Sequence, residues 1–334
     1  MVHLRIVAPP DRSERALDLL CAHGSVLNVI FLEGAARRPD GDVILCDVAR
    51  EDASVILGDL RELDIPKYGS IAVELIDSEL SDAADAAERH AAGAPSDAVI
   101  WEQVEASTSE NVELSGNFIA FMVLAVLIAM GGIFLDSPIL IIGAMVVGPE
   151  FGPLAGLCVA LVEERGRLAL RSLTALAVGF PVAITAGFLG SVAIKELGLA
   201  PDEFVSGAGV FTEFIAHPDF FSFLVAFLAG AAGMLSLTST KSGALIGVLI
   251  SVTTIPAAAN IGVSLAYGDS DEWVGAQLQL SVNLTMIVLA GVLTLYVQRV
   301  LYRRRRIKHL SDPMREKAGL PLGRSARSDG GAER

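Results

Sequence analysis

The chain has 334 residues, 52% of them hydrophobic, and a formal net charge of −14. That length allows two domains, and so acidic a balance argues against a nucleic-acid partner, whose phosphates call for clustered Lys and Arg. Cys21, Cys46 and Cys158 show no metal-ligand spacing and form no disulfide framework, which fits a reduced cytosolic setting.

The acidity is local. Residues 1–115 hold 9 Lys/Arg against 23 Asp/Glu, whereas 116–334 hold 16 of each. Residues 1–77 read as β-α-β-β-α-β. Residues 3–8 alternate as a strand, and 11–23 carry Ala16, Leu17, Leu19 and Leu20 at helical spacing until Gly24 ends the pattern. A second strand follows over 26–32, a turn region over 34–42, a third strand over 42–49, a second helix over 51–63 and a fourth strand over 69–76. That order predicts a split βαβ, ferredoxin-like α+β domain. Two roles stay open for it: a cytosolic packing or oligomerisation module, or a ligand sensor. Residues 78–115 predict an acidic connector, with a polar helix over 82–92 and a short amphipathic piece over 98–104. The latter carries Trp101, a residue type favoured at membrane interfaces.

From 116 to 298 the chain turns apolar. A membrane-crossing helix needs about 20 apolar residues, and six candidates meet this: 116–135, 138–162, 168–193, 220–239, 242–266 and 274–298. The links alternate in charge. Arg165, Arg167 and Arg171 lie in the second link, Lys241 in the fourth, and Arg303 to Arg306 with Lys308 after the sixth span. Asp136, the acidic stretch between 194 and 219, and Asp269, Asp271 and Glu272 fill the others. Basic links face the cytoplasm, so both termini are expected there, in a multi-pass protein of the cell membrane. The tail from 299 is expected to be basic and, beyond 311, unstructured. Its Arg run reads most simply as a lipid-headgroup anchor; docking on the acidic N-terminal domain is the alternative.

Two spans are interrupted. The second contains Gly148, Pro149, Glu150, Phe151, Gly152 and Pro153 near its middle, where two prolines and two glycines bend or unwind a helix. The fifth echoes it, with Ser251, Thr253, Thr254 and Asn260 around Pro256. Each is the middle member of a three-span set, which predicts a 3+3 inverted repeat of broken helices around a central binding site. Broken backbone in hydrocarbon is tolerated where it lines a cavity or is buried in protein, and an acid there is a candidate functional group. Three readings of Glu150 stay open: a proton or cation site, a structural carboxylate satisfied by broken-helix amides, or a carboxylate that a tilted span carries to water. In the sixth span, Gln277 and Ser281, then Gln279 and Asn283, pair at helical spacing, either bonding between helices or lining a pathway.

The stretch DSPILIIGAMVVGPEFGPLAGL, 136–157, resembles the signature of an uncharacterised hydrophobic membrane family, domain of unknown function 389. That signature is an Asn-Ser or Asp-Ser hairpin, then Ile-Gly-Ala-Met, then a Pro-x-x-Gly-Pro-like break. The later GALIGVLISVTTIPAAANIGVSLA and SVNLTMIVLAGVLTLY look like its second half, so the resemblance covers about 110–300. The small α/β domain ahead of it resembles that of actinobacterial-like members. Glu150 departs from the family, where many relatives carry an apolar residue. The resemblance implies topology and supplies no activity.

The expectation is therefore a permease of an unknown small solute or ion, with a cytosolic regulatory or oligomerisation domain; the alternative is a membrane sensor or scaffold that transports nothing. The binding residues expected are Gly148, Pro149, Glu150, Gly152, Pro153, Thr253, Thr254, Pro256, Asn260 and Asn283. The partners expected are the lipid bilayer, the solute and further copies of the chain; no cofactor or metal is expected. An enzyme is not expected, because none of the five histidines lies in a span and neither H-E-x-x-H nor G-x-S-x-G occurs.

Overall fold

The computed structural model describes residues 1–76, 81–91, 99–202, 204–207, 209, 215–239, 247 and 253–323. Two compact units divide the chain: Met1–Val104 with Gln298–Arg334, and Glu105–Val297.

In the first unit, β1 (Val2–Ala8), α1 (Pro10–Ala22), β2 (Val26–Arg37), β3 (Asp40–Val48), α2 (Arg50–Glu62), the one-turn α3 (Ile65–Tyr68) and β4 (Ser70–Leu75) follow in order. The four strands form one antiparallel sheet in the order β2-β3-β1-β4. Period-two alternation makes it one-sided. Val2, Leu4, Ile6 and Ala8 of β1 and Ile44, Cys46 and Val48 of β3 are buried, under Ala16, Leu19 and Leu20 of α1 and Ile56, Leu57 and Leu60 of α2. The turn expected over 34–42 is shorter than the sequence suggests. β2 runs on to Arg37, and only Arg38 and Pro39 separate the strands. The polar helix is α4 (Asp82–His90), capped by the Ser81 side chain, and Trp101 opens α5 (Trp101–Asn111).

The second unit contains α6 (Gly116–Phe134), α7 (Pro138–Val147), α8 (Phe151–Val162), α9 (Gly166–Glu196), α10 (Phe220–Thr238), α11 (Thr254–Tyr267) and most of α12 (Ser270–His309). Among the described residues four helices, α6, α9, α10 and α12, are long and apolar enough to cross a membrane. The pair α7 and α8, bent by 49°, makes a fifth if taken as one span. Residues 242–246 and 248–252 of the fifth expected span, Ser251 among them, lie outside the described residues. α9 runs unbroken through Pro181.

Small residues set the helix spacing. A Cβ on Gly262 of α11 would come within 2.8 Å of the Phe188 backbone nitrogen of α9, and one on Gly230 of α10 within 2.7 Å of Ile287 backbone in α12. Gly230 thus lets α10 and α12 approach closely. α11 is the innermost element: every residue from Thr254 to Ser264 is buried.

The tail corrects an expectation. Over 312–323 the chain is not unstructured but forms α13 (Met314–Lys317), packs Ala318 and Leu320 into the core under the sheet, and completely buries Arg315, while 324–334 lie outside the described residues. α12 itself continues through the whole Arg run to His309. Arg306 docks on α2, donating to Val55 O at 2.7 Å and pairing with Asp59 at 2.6 Å and Glu62 at 2.8 Å. Arg315 adds bonds to both acids, and His309 Nε2 lies 2.7 Å from Asp59 Oδ2. Arg303, Arg304 and Arg305 stay exposed. The reason is charge pairing: one buried carboxylate recruits two arginines and accepts a histidine contact besides.

Candidate functional site

Helix α7 stops at Val147 and α8 restarts at Phe151, leaving Gly148, Pro149 and Glu150 between them. Glu150 stands at the N-cap of α8 with Pro153 in the first turn; Thr253 stands at the N-cap of α11 with Pro256 in the first turn. The two helix starts therefore share one local plan. A first-turn proline costs no helical hydrogen bond, because the first N–H groups have no partner in any helix. Both prolines stand in first turns, Pro256 at the start of α11 and not in its interior; residues 248–252 ahead of it lie outside the described residues.

These two starts meet. Thr254 Oγ1 donates to Glu150 Oε1 at 2.6 Å, across 104 residues of sequence. Glu150 is only 5% exposed, and its Oε2 has no hydrogen-bond partner. A side chain on Gly148 would collide with Oε2 and Ile255, so glycine there admits the carboxylate. The reading in which a tilted span carries Glu150 to water does not hold. One step along α11, Thr253 Oγ1 accepts from Asn283 Nδ2 at 3.0 Å and Gln279 Nε2 at 3.4 Å. Gln279 also bonds Asn283 at 3.4 Å, and both are buried. The two polar pairs of α12 thus face differently. Gln279 and Asn283 turn inward, whereas Gln277 and Ser281 border an apolar cavity of about 570 Å³ between α8, α9 and α12.

Of the ten expected residues, the structure joins Gly148, Glu150, Thr253, Thr254 and Asn283 through direct contacts, with Pro149, Gly152, Pro153 and Pro256 shaping the backbone around them. Asn260 belongs elsewhere. Its Nδ2 donates to Glu272 Oε2 at 3.0 Å, and Ser264 Oγ donates to Asn260 Oδ1 at 3.4 Å. Glu272 is only 6% exposed, although the sequence placed it in a solvated acidic link. The helix begins at Ser270, four residues before the apolar run, and that extra turn carries Glu272 inward. Gln279 is the other residue that the expected set missed; its i, i+4 spacing to Asn283 was the available signal.

Comparison with known proteins agrees with the motif. Residues 145–289 match the family model of a domain of unknown function, DUF389. That segment contains every one of the ten expected residues and both helix starts. The chain is also 26% identical over 194 residues to an uncharacterized protein of Methanocaldococcus jannaschii, covering 58% of each chain. The chain therefore spans less than two thirds of that relative's length. No solved structure matches.

Proposed function

We propose that this chain is a multi-pass permease of the cell membrane that moves a small solute or ion past Glu150, with its ferredoxin-like domain and both termini in the cytoplasm. One observation carries the reading: a carboxylate, buried among apolar helices, sits where two helix starts converge and uses only one of its two oxygens. Hydrocarbon selects against such a group unless it is used or fully paired. Helix starts present N–H groups and a positive dipole end to whatever lies before them. Paired at one point, they are the arrangement that inverted-repeat transporters use at mid-membrane. The shared N-cap and first-turn plan of α8 and α11 supports a 3+3 repeat, and with it six spans. Thr253, Gln279 and Asn283 supply further polar contacts beside the acid.

The test is flux. The full chain in liposomes is expected to move at least one solute from a panel of ions, organic anions and amino acids, with a rate that responds to a proton gradient. Glu150→Gln is expected to abolish that response. If no solute moves in any condition, and Glu150→Gln leaves cells carrying it unchanged, the permease reading fails. A sensor or scaffold then becomes the better account, since the tail clamped on the sheet unit would suit a signalling role.

A further inference from the structure

The sheet unit holds a second polar cluster, which shares no residue with the Glu150 site. His23 caps the C-terminus of α1, and α12 ends at His309, with Asp312 three residues further on. One donor atom from each of these three side chains can be chosen so that all lie within 4.8 Å of one another. They line a cavity of about 260 Å³, together with Asp52 and His90. The imidazoles of His23 and His309 lie 5.1 Å apart between ring centres.

We infer that His23, His309 and Asp312 form a site for a divalent transition-metal ion of the zinc class. Three features separate this cluster from a chance meeting of polar side chains. His309 commits Nε2 to Asp59 at 2.7 Å, so a metal would have to bind at its Nδ1. A carboxylate behind a ligating imidazole fixes its tautomer and orientation, the usual support of a metal-bound histidine. His23 Nε2 is buried and has no hydrogen-bond partner, an arrangement that costs free energy unless something else takes the lone pair or proton. Asp312 is tied to His309 by a turn, its N–H donating to His309 O at 2.8 Å, so the two tail ligands move as one.

Two imidazoles and a carboxylate suit zinc, cobalt or nickel better than magnesium or calcium, which prefer all-oxygen cages. A tetrahedral ion with bonds of about 2.1 Å sets its donors about 3.4 Å apart, so the cluster needs to close by roughly an ångström. Water or His90 completes the fourth position. The ion would join the end of α1 to the segment that follows α12, reinforcing the charge clamp around Asp59. Tail docking then depends on metal concentration, because an ion that binds the docked form alone stabilises it.

The experiment uses the full chain in detergent, made without a histidine tag and stripped with chelator. Zinc is titrated against a chromogenic competitor, and cobalt is used as a spectroscopic substitute. The expected result is one zinc per chain, slower proteolysis of the 310–323 segment with zinc, and cobalt ligand-field bands. His23→Gln and Asp312→Asn should each weaken zinc at least tenfold. His23→Gln should also leave the metal-free melting temperature unchanged, since its Nε2 holds no bond to lose. No stoichiometric zinc binding by the unmodified chain would overturn the site, as would undiminished affinity in both variants.

Discussion

Two buried carboxylates, one in each unit, are treated in opposite ways. Asp59 in the sheet unit is completely buried, yet it faces Arg306, Arg315 and His309, and neighbouring Glu62 shares the two arginines. Glu150 in the apolar unit is nearly as buried and has one neutral partner, the Thr254 hydroxyl. A saturated acid is a structural clamp, since every charge is answered and any change leaves one unanswered. A half-answered acid among apolar helices is costly to keep. Under the proposed permease reading, that cost is met by function.

The sharpest way to break this contrast is Asp59→Ala. It leaves Arg315 buried without its main partner and should cost about 3–5 kcal/mol, releasing the 310–323 segment. Denaturant midpoints from Trp101 fluorescence in a Trp273→Phe background would read it; a loss near zero would mean the clamp is ornamental. The same acid sets a pH dependence. Burial pushes the Asp59 carboxyl up, but the His309 hydrogen bond and the charges of Arg306, His309 and Arg315 outweigh it, so it sits below the usual carboxylate range. A depressed folded value means that this stabilisation is complete above the unfolded value, about 3.9, and is lost as pH falls through the folded one. The Asp59 contribution, read as the difference between the unmodified chain and Asp59→Ala, should therefore hold between about pH 7 and 5 and be lost only under strong acid.

Thr254→Val tests the other acid. It removes the single donor to Glu150 and should cost about 1–2 kcal/mol in detergent unfolding, less than the Asp59 change. Glu150→Gln should cost under about 1 kcal/mol, because an amide of the same shape keeps an oxygen for Thr254. If Glu150→Gln proved as damaging to stability as Asp59→Ala, the two acids would be alike and the contrast would fail. Smallest of all, exposed Arg304→Gln should stay within about 0.5 kcal/mol, whereas Arg306, two residues on, is part of the clamp.

Much of the site was legible because its cause is local. Two glycines and two prolines within six residues disfavour a continuous helix, and Gly148 and Pro149 do fall between α7 and α8, so the break and the acid inside it could be read directly. The Pro256 region was harder. A proline in the first turn and a proline in a helix interior look alike until the helix start is known. Glu272 and the tail were misread for one shared reason. Charge-rich segments read as solvated, and only a partner in another element makes burial favourable: Asn260 for Glu272, and Asp59 for Arg315.

By itself, then, the sequence determined the elements that follow from neighbouring residues: the alternating strands, the apolar helices, their interruptions and the division of charge. Hydropathy period and backbone sterics act over a few residues and need no fold to be read. Tertiary structure alone decided which buried polar groups meet. Thr254 reaches Glu150 across 104 positions and Arg315 reaches Asp59 across 256, and no local preference encodes contacts at such separations. They exist because packing brings the groups together, and burial then makes every unmet donor or acceptor expensive.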